Sequence, residues 1–295
     1  RTLFPDWSVT EKLRIFAGVA GHHGKPVSRA YQRPANRTSL EEKTLEAAQS
    51  FLTVMASLFQ PPPFPEDTTE AAMDSLAWRL AEYLPIADWI GSNRTWFPYI
   101  NPQDLTDPSA YFWNKALPQA QKAVLQAGLG SVRTTPFQTA KALLPHLEKH
   151  ALSPLQHWAE TVPLPDGPTL IVIEDMTGSG KTEAALILSH RLIARGHASG
   201  LFLALPTMAT ANAMFDRVAA AYGKMFHPLD RPSLALAHGK ARLSERFTQT
   251  ILSDTPSFST PEHQKPPGES ACSEWLASAN RLALLAQVGI CTNAQ

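Results

Sequence analysis

The chain has 295 residues, room for two domains, and 44% of them are hydrophobic, enough to bury a core. Its 26 basic and 26 acidic side chains cancel, which excludes a global basic field and confines any nucleic-acid contact to a local groove. Two cysteines, Cys272 and Cys291, argue against a disulfide framework or a cysteine zinc site. No apolar run reaches membrane-spanning length and no signal peptide is visible, so the expectation is a soluble, cytoplasmic chain with no membrane partner. The first residue is Arg1, not Met, and the chain is expected to be a segment of a longer one.

The amino-terminal half reads as helical. Ser39-Leu40-Glu41-Glu42 has the form of a capping box, and Leu45, Ala48, Leu52, Met55 and Phe59 then recur at helical spacing. Pro61-Pro62-Pro63 forbids continuation. Met73, Leu76, Ala77, Leu80 and Ala81 mark another helix, which Pro85 is expected to interrupt. No strand is expected over residues 1–100. Residues 113–127 read as a helix broken at Pro118 and stopped by Gly128 and Gly130.

From residue 169 strand and helix alternate. Strands are expected at 169–174, 200–205, 233–237 and 287–292, and helices at 181–196 and 209–222. The first two strands lie about 30 residues apart, as a βαβ unit requires. Residues 253–270, rich in Pro, Ser, Thr and Glu, are expected to form a mobile surface insertion. The fold class is thus α plus α/β: a helical domain over 1–115, a linker and helical lead-in over 116–150, and a parallel-sheet domain over 151–295.

The most informative stretch runs from Leu170 to Thr182, Leu-Ile-Val-Ile-Glu-Asp-Met-Thr-Gly-Ser-Gly-Lys-Thr. An apolar run enters a glycine-rich turn and a helix-forming segment follows, the order of a phosphate loop. Small residues let successive backbone N–H groups converge on phosphate oxygens at the positive end of a helix. Thr177, Gly178, Ser179, Gly180 and Lys181 would cradle the phosphates, and the Thr182 hydroxyl would bind Mg²⁺. Upstream, the amide of Gln156 suits the adenine N6/N7 edge, although a lone Gln is more often solvated.

After the second expected strand, Pro206 ends the run and Thr207 opens a helix at the carboxyl edge of the sheet. Thr207 there either caps the helix or meets a nucleic-acid phosphate. In the amino-terminal half, Gly21-His22-His23-Gly24 places two imidazoles together. A second segment, Ile86-Ala87-Asp88-Trp89-Ile90, puts one carboxylate in an apolar helical stretch, where burial would be costly unless the group is paired or metal-bound. Two imidazoles and a carboxylate suit a transition metal but are too few for a complete two-metal cluster. A surface His-His pair is the commoner occurrence.

In this order, Gly-His-His-Gly, Ala-Asp-Trp-Ile-Gly-Ser, Gln156, the phosphate loop with its Glu-Ala-Ala-Leu helix, and Ala-Leu-Pro-Thr-Met-Ala-Thr-Ala-Asn-Ala-Met resemble the CRISPR-associated HD nuclease–helicase of type I interference systems. Ala237-His238-Gly239 and the closing Val288-Gly289-Ile290-Cys291-Thr292-Asn293-Ala294-Gln295 also fit. The resemblance implies an incomplete HD-type helical nuclease domain followed by an incomplete RecA-like helicase domain. It implies ATP with Mg²⁺ as cofactor, transition metal ions in the nuclease site, and as partners single-stranded DNA and a type I effector complex bound at an R-loop. By motif position His22, His23 and Asp88 would ligate the nuclease metal. Gln156 would read adenine, residues 177–182 would form the Walker loop, and Pro206, Thr207 and Thr292 would lie on the DNA.

The chain departs from the family at Asp175, where Gly or Ala is usual, and at Ala294, where Asp is usual. The family's His-Asp dyad and earlier His ligands would lie before residue 1. Its Asp-Glu-x-His box and second RecA-like domain would lie after residue 295. A different P-loop enzyme such as a kinase, and a non-catalytic P-loop adaptor of the same descent, are the competing readings.

Overall fold

A computed structural model of the chain describes residues 6–21, 25–27, 41–60, 62–101, 107–241, 244–252 and 272–293. The chain divides into two compact units, Arg1–Ala123 and Val124–Gln295.

The first unit is built from α1 (Val9–Ala20), α2 (Glu42–Phe59), α3 (Glu70–Gly91) and α4 (Pro108–Tyr111), followed by a π-helical turn (Phe112–Ala116) and α5 (Leu117–Gln126), within which the division falls. It holds no strand among the described residues. Ser8 caps α1 reciprocally with Glu11, the Ser8 hydroxyl accepting from the Glu11 N–H. Ala17 and Gly18 of α1 are buried, and Arg14 reaches across to Asp74 on α3. In α3, Met73, Ala77, Ala81 and Pro85 recur every fourth residue and are all buried.

Three expectations are corrected here. The helix α3 runs through Pro85. The missing N–H removes one helical bond, but the ring continues the buried stripe, and apolar burial offsets the loss. At Pro118 the helix again does not break. The chain widens into the π turn just ahead of it, and Leu117 donates its N–H to Phe112 O, so the ladder shifts register where proline has no donor. The expected Ser39 box does not start α2: the helix begins at Glu42 with Glu41 as an N-cap that makes no side-chain bond, and Ser39 itself lies outside the described residues. At the other end α2 stops at Phe59, before the prolines, with Gln60 left-handed at φ 37°.

The second unit continues through α6 (Ala140–Leu143), α7 (Pro154–Thr161), α8 (Lys181–Ala194), β1 (Leu201–Leu205), α9 (Met208–Met225), β2 (Leu234–Ala237), α10 (Glu245–Thr250), β3 (Ile251–Leu252), β4 (Cys272–Ser273), α11 (Glu274–Ala277) and β5 (Val288–Thr292). Its main sheet has three strands in the order β1-β5-β2. Both pairings are parallel, with Leu201 and Leu234 each opposite Val288. Strand β2 is wholly buried and β5 nearly so, and both are continuous apolar runs, as a strand covered on both faces demands. One helix that covers them is α9, whose Ala211, Phe215, Val218, Tyr222 and Met225 form one buried face. Tyr222 is fully buried and donates its hydroxyl to Pro232 O.

The expected first strand does not form. Residues 169–174 have no regular structure, and Leu170 and Val172 are 89% and 78% exposed. A short apolar run forms a strand only when a neighbour accepts its backbone groups. Among the described residues no segment pairs with this one. The insertion expected over 253–270 lies outside the described residues.

A clasp closes the lead-in segment onto the end of α9. Thr134 bridges to Phe226. The Arg133 guanidinium grips both oxygens of Asp230, Nη2 to Oδ1 at 2.7 Å and Nε to Oδ2 at 3.1 Å, while the Arg133 N–H also donates to Oδ2 at 2.6 Å. These bonds from Arg133 hold the Asp230 carboxyl down at about 2, against an ordinary 3.8. Because the folded value is depressed, the clasp's stabilisation is present above 3.8 and lost as pH falls toward about 2. Melting temperatures of the wild type and Asp230→Asn should therefore differ at neutral pH and converge across that window. A gap that persists at the acid end would contradict the assignment.

Candidate nucleotide and nucleic-acid sites

Helix α8 starts at Lys181 behind Gly180, an N-cap with no side-chain cap bond. A 14-residue helix with an uncapped start leaves its first N–H groups open to an anion. Gly178 and Gly180 carry φ values of +85° and +91°, conformations that favour glycine. A Cβ at Gly178 would meet nothing within 4 Å. The Ser179 hydroxyl is buried without a partner among the described residues. Lys181 folds its ammonium over the turn, donating to Asp175 O at 2.6 Å and Met176 O at 2.7 Å. The Asp175 carboxylate accepts the Met176 N–H at 2.7 Å, so the unusual acid is held within its own turn. Thr182 is half-buried in the first turn of α8. Open N–H groups, two left-handed glycines, an orphan hydroxyl and a flexible cation fit a bound polyphosphate.

The N-terminus of α7 props this loop. Ser153 caps α7 through the Gln156 N–H, and its hydroxyl donates to Ser179 O at 2.8 Å. Gln156 is buried, its Oε1 accepting from the Ser153 N–H at 3.0 Å. Its Nε2 lies 2.3 Å from where a Cβ on Gly180 would stand. Gln156 therefore packs on the phosphate loop instead of pointing into solvent, and one lone pair of its amide oxygen is taken. The far end of α7 is fixed by two arginines of the α8 region, which the sequence reading missed. Arg191 donates to Ala159 O and Val162 O, both at 2.6 Å, and Arg195 donates to Leu164 O at 3.0 Å. The bond to Ala159 O meets a carbonyl that the end of α7 leaves without a helical partner, and the other two pin the segment that follows the helix.

All three strands of the main sheet are parallel, so their carboxyl ends share one edge. Pro206 and Thr207 follow β1 and are exposed. Thr207 is the N-cap of α9 in a reciprocal box with Thr210, each side chain accepting the other's N–H at 3.2 Å. Its hydroxyl thus does the capping, while its exposure leaves the edge open. Thr292 ends β5 and is 6% exposed; the exposed residue at that strand end is Asn293. His238 follows β2 and is buried. Because the Lys240 N–H can only donate, at 3.2 Å, His238 Nδ1 is the acceptor and Nε2 carries the proton toward Asn212 Oδ1 at 2.8 Å. Burial lowers the His238 pKa, favouring this neutral form.

Known proteins share this arrangement. Residues 3–97 match the family described as Cas3, HD domain. The CRISPR-associated endonuclease/helicase Cas3 of Escherichia coli K12 is 32% identical over 291 residues, 93% of this chain and 30% of that protein. Its counterpart from Thermus thermophilus is 31% identical over 286 residues, 94% of this chain and 29% of that protein. The crystal structure of T. fusca Cas3-ADP superposes with a TM-score of 0.71 at 26% identity, covering 96% of this chain and 30% of that one. Over nearly its whole length the chain is similar to a segment of Cas3. It spans about 30% of the length of the curated relatives it matches.

In the unit that carries the HD-domain match, Asp88 lies near the end of α3, on a surface-exposed position rather than in the apolar interior its neighbours suggested. It takes a weak bond at 3.4 Å from the Ser92 hydroxyl. Exposure removes the desolvation cost the sequence suggested, so burial gives no argument for a bound ion at Asp88. His22 and His23 lie outside the described residues. Asp88 alone does not make up a metal site.

Glu183, one residue past Thr182, was not singled out by sequence. It is 12% exposed and paired with Arg217 of α9, with His146 Nε2 at 3.6 Å. It ties the helix of the phosphate loop to the helix that begins just after Thr207.

The two loop glycines differ in a measurable way. Gly178→Ala costs the left-handed penalty alone, about 1–2 kcal/mol. Gly180→Ala adds a collision with the Gln156 carboxamide. Thermal melts should show the larger loss at Gly180, and Gln156→Ala should relieve part of it. Equal losses at both glycines would remove Gln156 as the prop of the loop.

Proposed function

We propose that this chain supplies the phosphate-loop half of an ATP-driven motor on single-stranded DNA, joined to part of a metal-dependent HD nuclease that degrades target DNA in CRISPR interference. The partners implied are single-stranded DNA and a type I effector complex at an R-loop. One observation carries the reading: an uncapped, propped phosphate loop sits in the same unit as a parallel sheet whose carboxyl edge opens at Pro206-Thr207.

ATP with Mg²⁺ would supply the phosphoryl group whose hydrolysis drives movement. The backbone of residues 177–181 would hold its phosphates, Thr182 its metal, and Gln156 its base. Lys181 must leave the carbonyls of Asp175 and Met176 to meet a phosphate. Those bonds are charge-assisted, and this competition weakens nucleotide affinity. Holding Gln156 on the loop restrains the turn that presents the N–H groups. His22, His23, Asp88 and the transition metal ions belong to the nuclease half of this reading.

Titration calorimetry should find weak ATP or ADP binding by this chain and none by Lys181→Ala. Equal affinity in the two proteins would sink the nucleotide assignment.

The DNA assignment is separate. A motor must grip any sequence, so Pro206, Thr207 and the start of α9 are expected to meet the strand's backbone, and Thr292 to support the same edge. In the full-length protein, Thr207→Ala should reduce DNA-stimulated ATP hydrolysis while nucleotide affinity is nearly kept. Lost nucleotide binding with unchanged DNA affinity would move Thr207 to the ATP pocket.

A further inference from the structure

An acid in the first turn of a helix competes with any anion that the helix start would bind. Helix α8 carries one, Glu183, its third residue. A Glu at that position ordinarily reaches back to bond the N–H of the N-cap. Here the N-cap is Gly180, and no side chain caps the helix. Glu183 is drawn to α9 instead. Its Oε1 accepts from Nη2 of Arg217, midway along α9, and His146 Nε2 stands 3.6 Å from the same oxygen.

Stability does not account for this choice of partner. Arg217 is 47% exposed, so water screens the pair, and an ion pair of that kind adds little to folding. Capping its own helix would serve Glu183 at least as well, because the helix dipole favours a carboxylate at an N-terminus. What the observed arrangement preserves is the open start of α8 behind Gly178 and Gly180. Asp175 is restrained in a similar way, its carboxylate bonded to the Met176 N–H of its own turn. Both acids are thereby kept off the N–H groups that begin the helix.

We propose that Arg217 is a positioning residue of the nucleotide site: it holds the Glu183 carboxylate away from the start of α8 and offsets its charge, so that a polyphosphate and not the chain's own acid occupies the open N–H groups. The inference rests on the nucleotide reading above and adds to it a residue from outside the phosphate loop. Without Arg217, Glu183 is free to swing back and cap α8. The site is then blocked by a ligand tethered two residues from Lys181.

The test is titration calorimetry of this chain with ADP and with ATP, each with Mg²⁺, at low and at raised KCl. Arg217→Met should raise Kd by about 3- to 10-fold. Arg217→Lys, which keeps the cation, should lose less. The loss should be larger for ATP than for ADP and should shrink as salt rises, since it is a charge effect. Glu183→Ala should bind as tightly as the wild type or more tightly, and adding it to Arg217→Met should restore affinity. A pair that merely ties two helices together predicts the reverse for Glu183→Ala, a loss as large as that of Arg217→Met and no rescue in the double variant; that result overturns the proposal, as does unchanged affinity in Arg217→Met. Should thermal melts show that Arg217→Met does not fold, the affinity of Glu183→Ala alone decides, because the two accounts give it opposite signs. A wild type that binds neither nucleotide removes the nucleotide reading and this inference with it.

Discussion

The insertion of β5 between β1 and β2 is the constraint on which the carboxyl-edge arrangement depends. The last strand in the chain enters the middle of the sheet and pairs in parallel with two strands met much earlier, from Val288 opposite both Leu201 and Leu234. Each pairing aligns one strand end with the next. Thr207, His238 and Thr292 are far apart in sequence, yet they follow or close three neighbouring strands on one edge. The β5 sequence Val-Gly-Ile-Cys-Thr tolerates this central place because it is nearly all buried and apolar on both faces. A polar alternation there would have left it at the rim.

The phosphate loop depends on a different device. A glycine loop is entropically loose, and here two helices hold it. One end of α7 presses Ser153 and Gln156 onto the loop, and the other is fixed to α8 by Arg191 and Arg195. The loop is thus clasped by the helix it precedes and by one that precedes it in the chain. Glu183 and Arg217 then join α8 to α9, so the helix whose start would meet phosphate is bonded to the helix whose start faces the strand edge. That connection joins the start of α8 and the start of α9 in one frame.

Much of this was legible in the sequence, for reasons that differ by element. The helices at 181–194 and 208–225 and the strands at 201–205, 234–237 and 288–292 follow from local pattern, and the structure places them within a few residues of expectation. Pro85 and Pro118 misled because the rule that proline ends a helix concerns one lost bond, whereas burial at Pro85 and the π turn before Pro118 are settled by the surroundings. Residues 169–174 misled in the opposite way: the strand pattern is sound, but pairing is a property of two segments. At the site, the phosphate loop announced itself through glycine spacing. The contact of Gln156 with Gly180 did not, since no spacing rule links them. His238 was visible only as a residue of a motif and Lys240 not at all, because their joint geometry depends on Asn212 in another helix.

Charge sets the final limit on how this chain would hold the single strand proposed above. With 26 cations against 26 anions there is no field to draw in a strand from a distance. Several arginines of the second unit are also committed internally: Arg133 to Asp230, Arg191 and Arg195 to backbone carbonyls, and Arg217 to Glu183. A guanidinium fixed on a carbonyl releases no counterion when a phosphate arrives. Contact with a strand would therefore come largely from the polar groups left at the sheet edge, from exposed backbone N–H groups and from lysines. An interface of that kind has a shallow salt dependence and little long-range steering. It suits a strand delivered by another component better than one captured from solution, because delivery replaces the attraction that a neutral surface cannot provide.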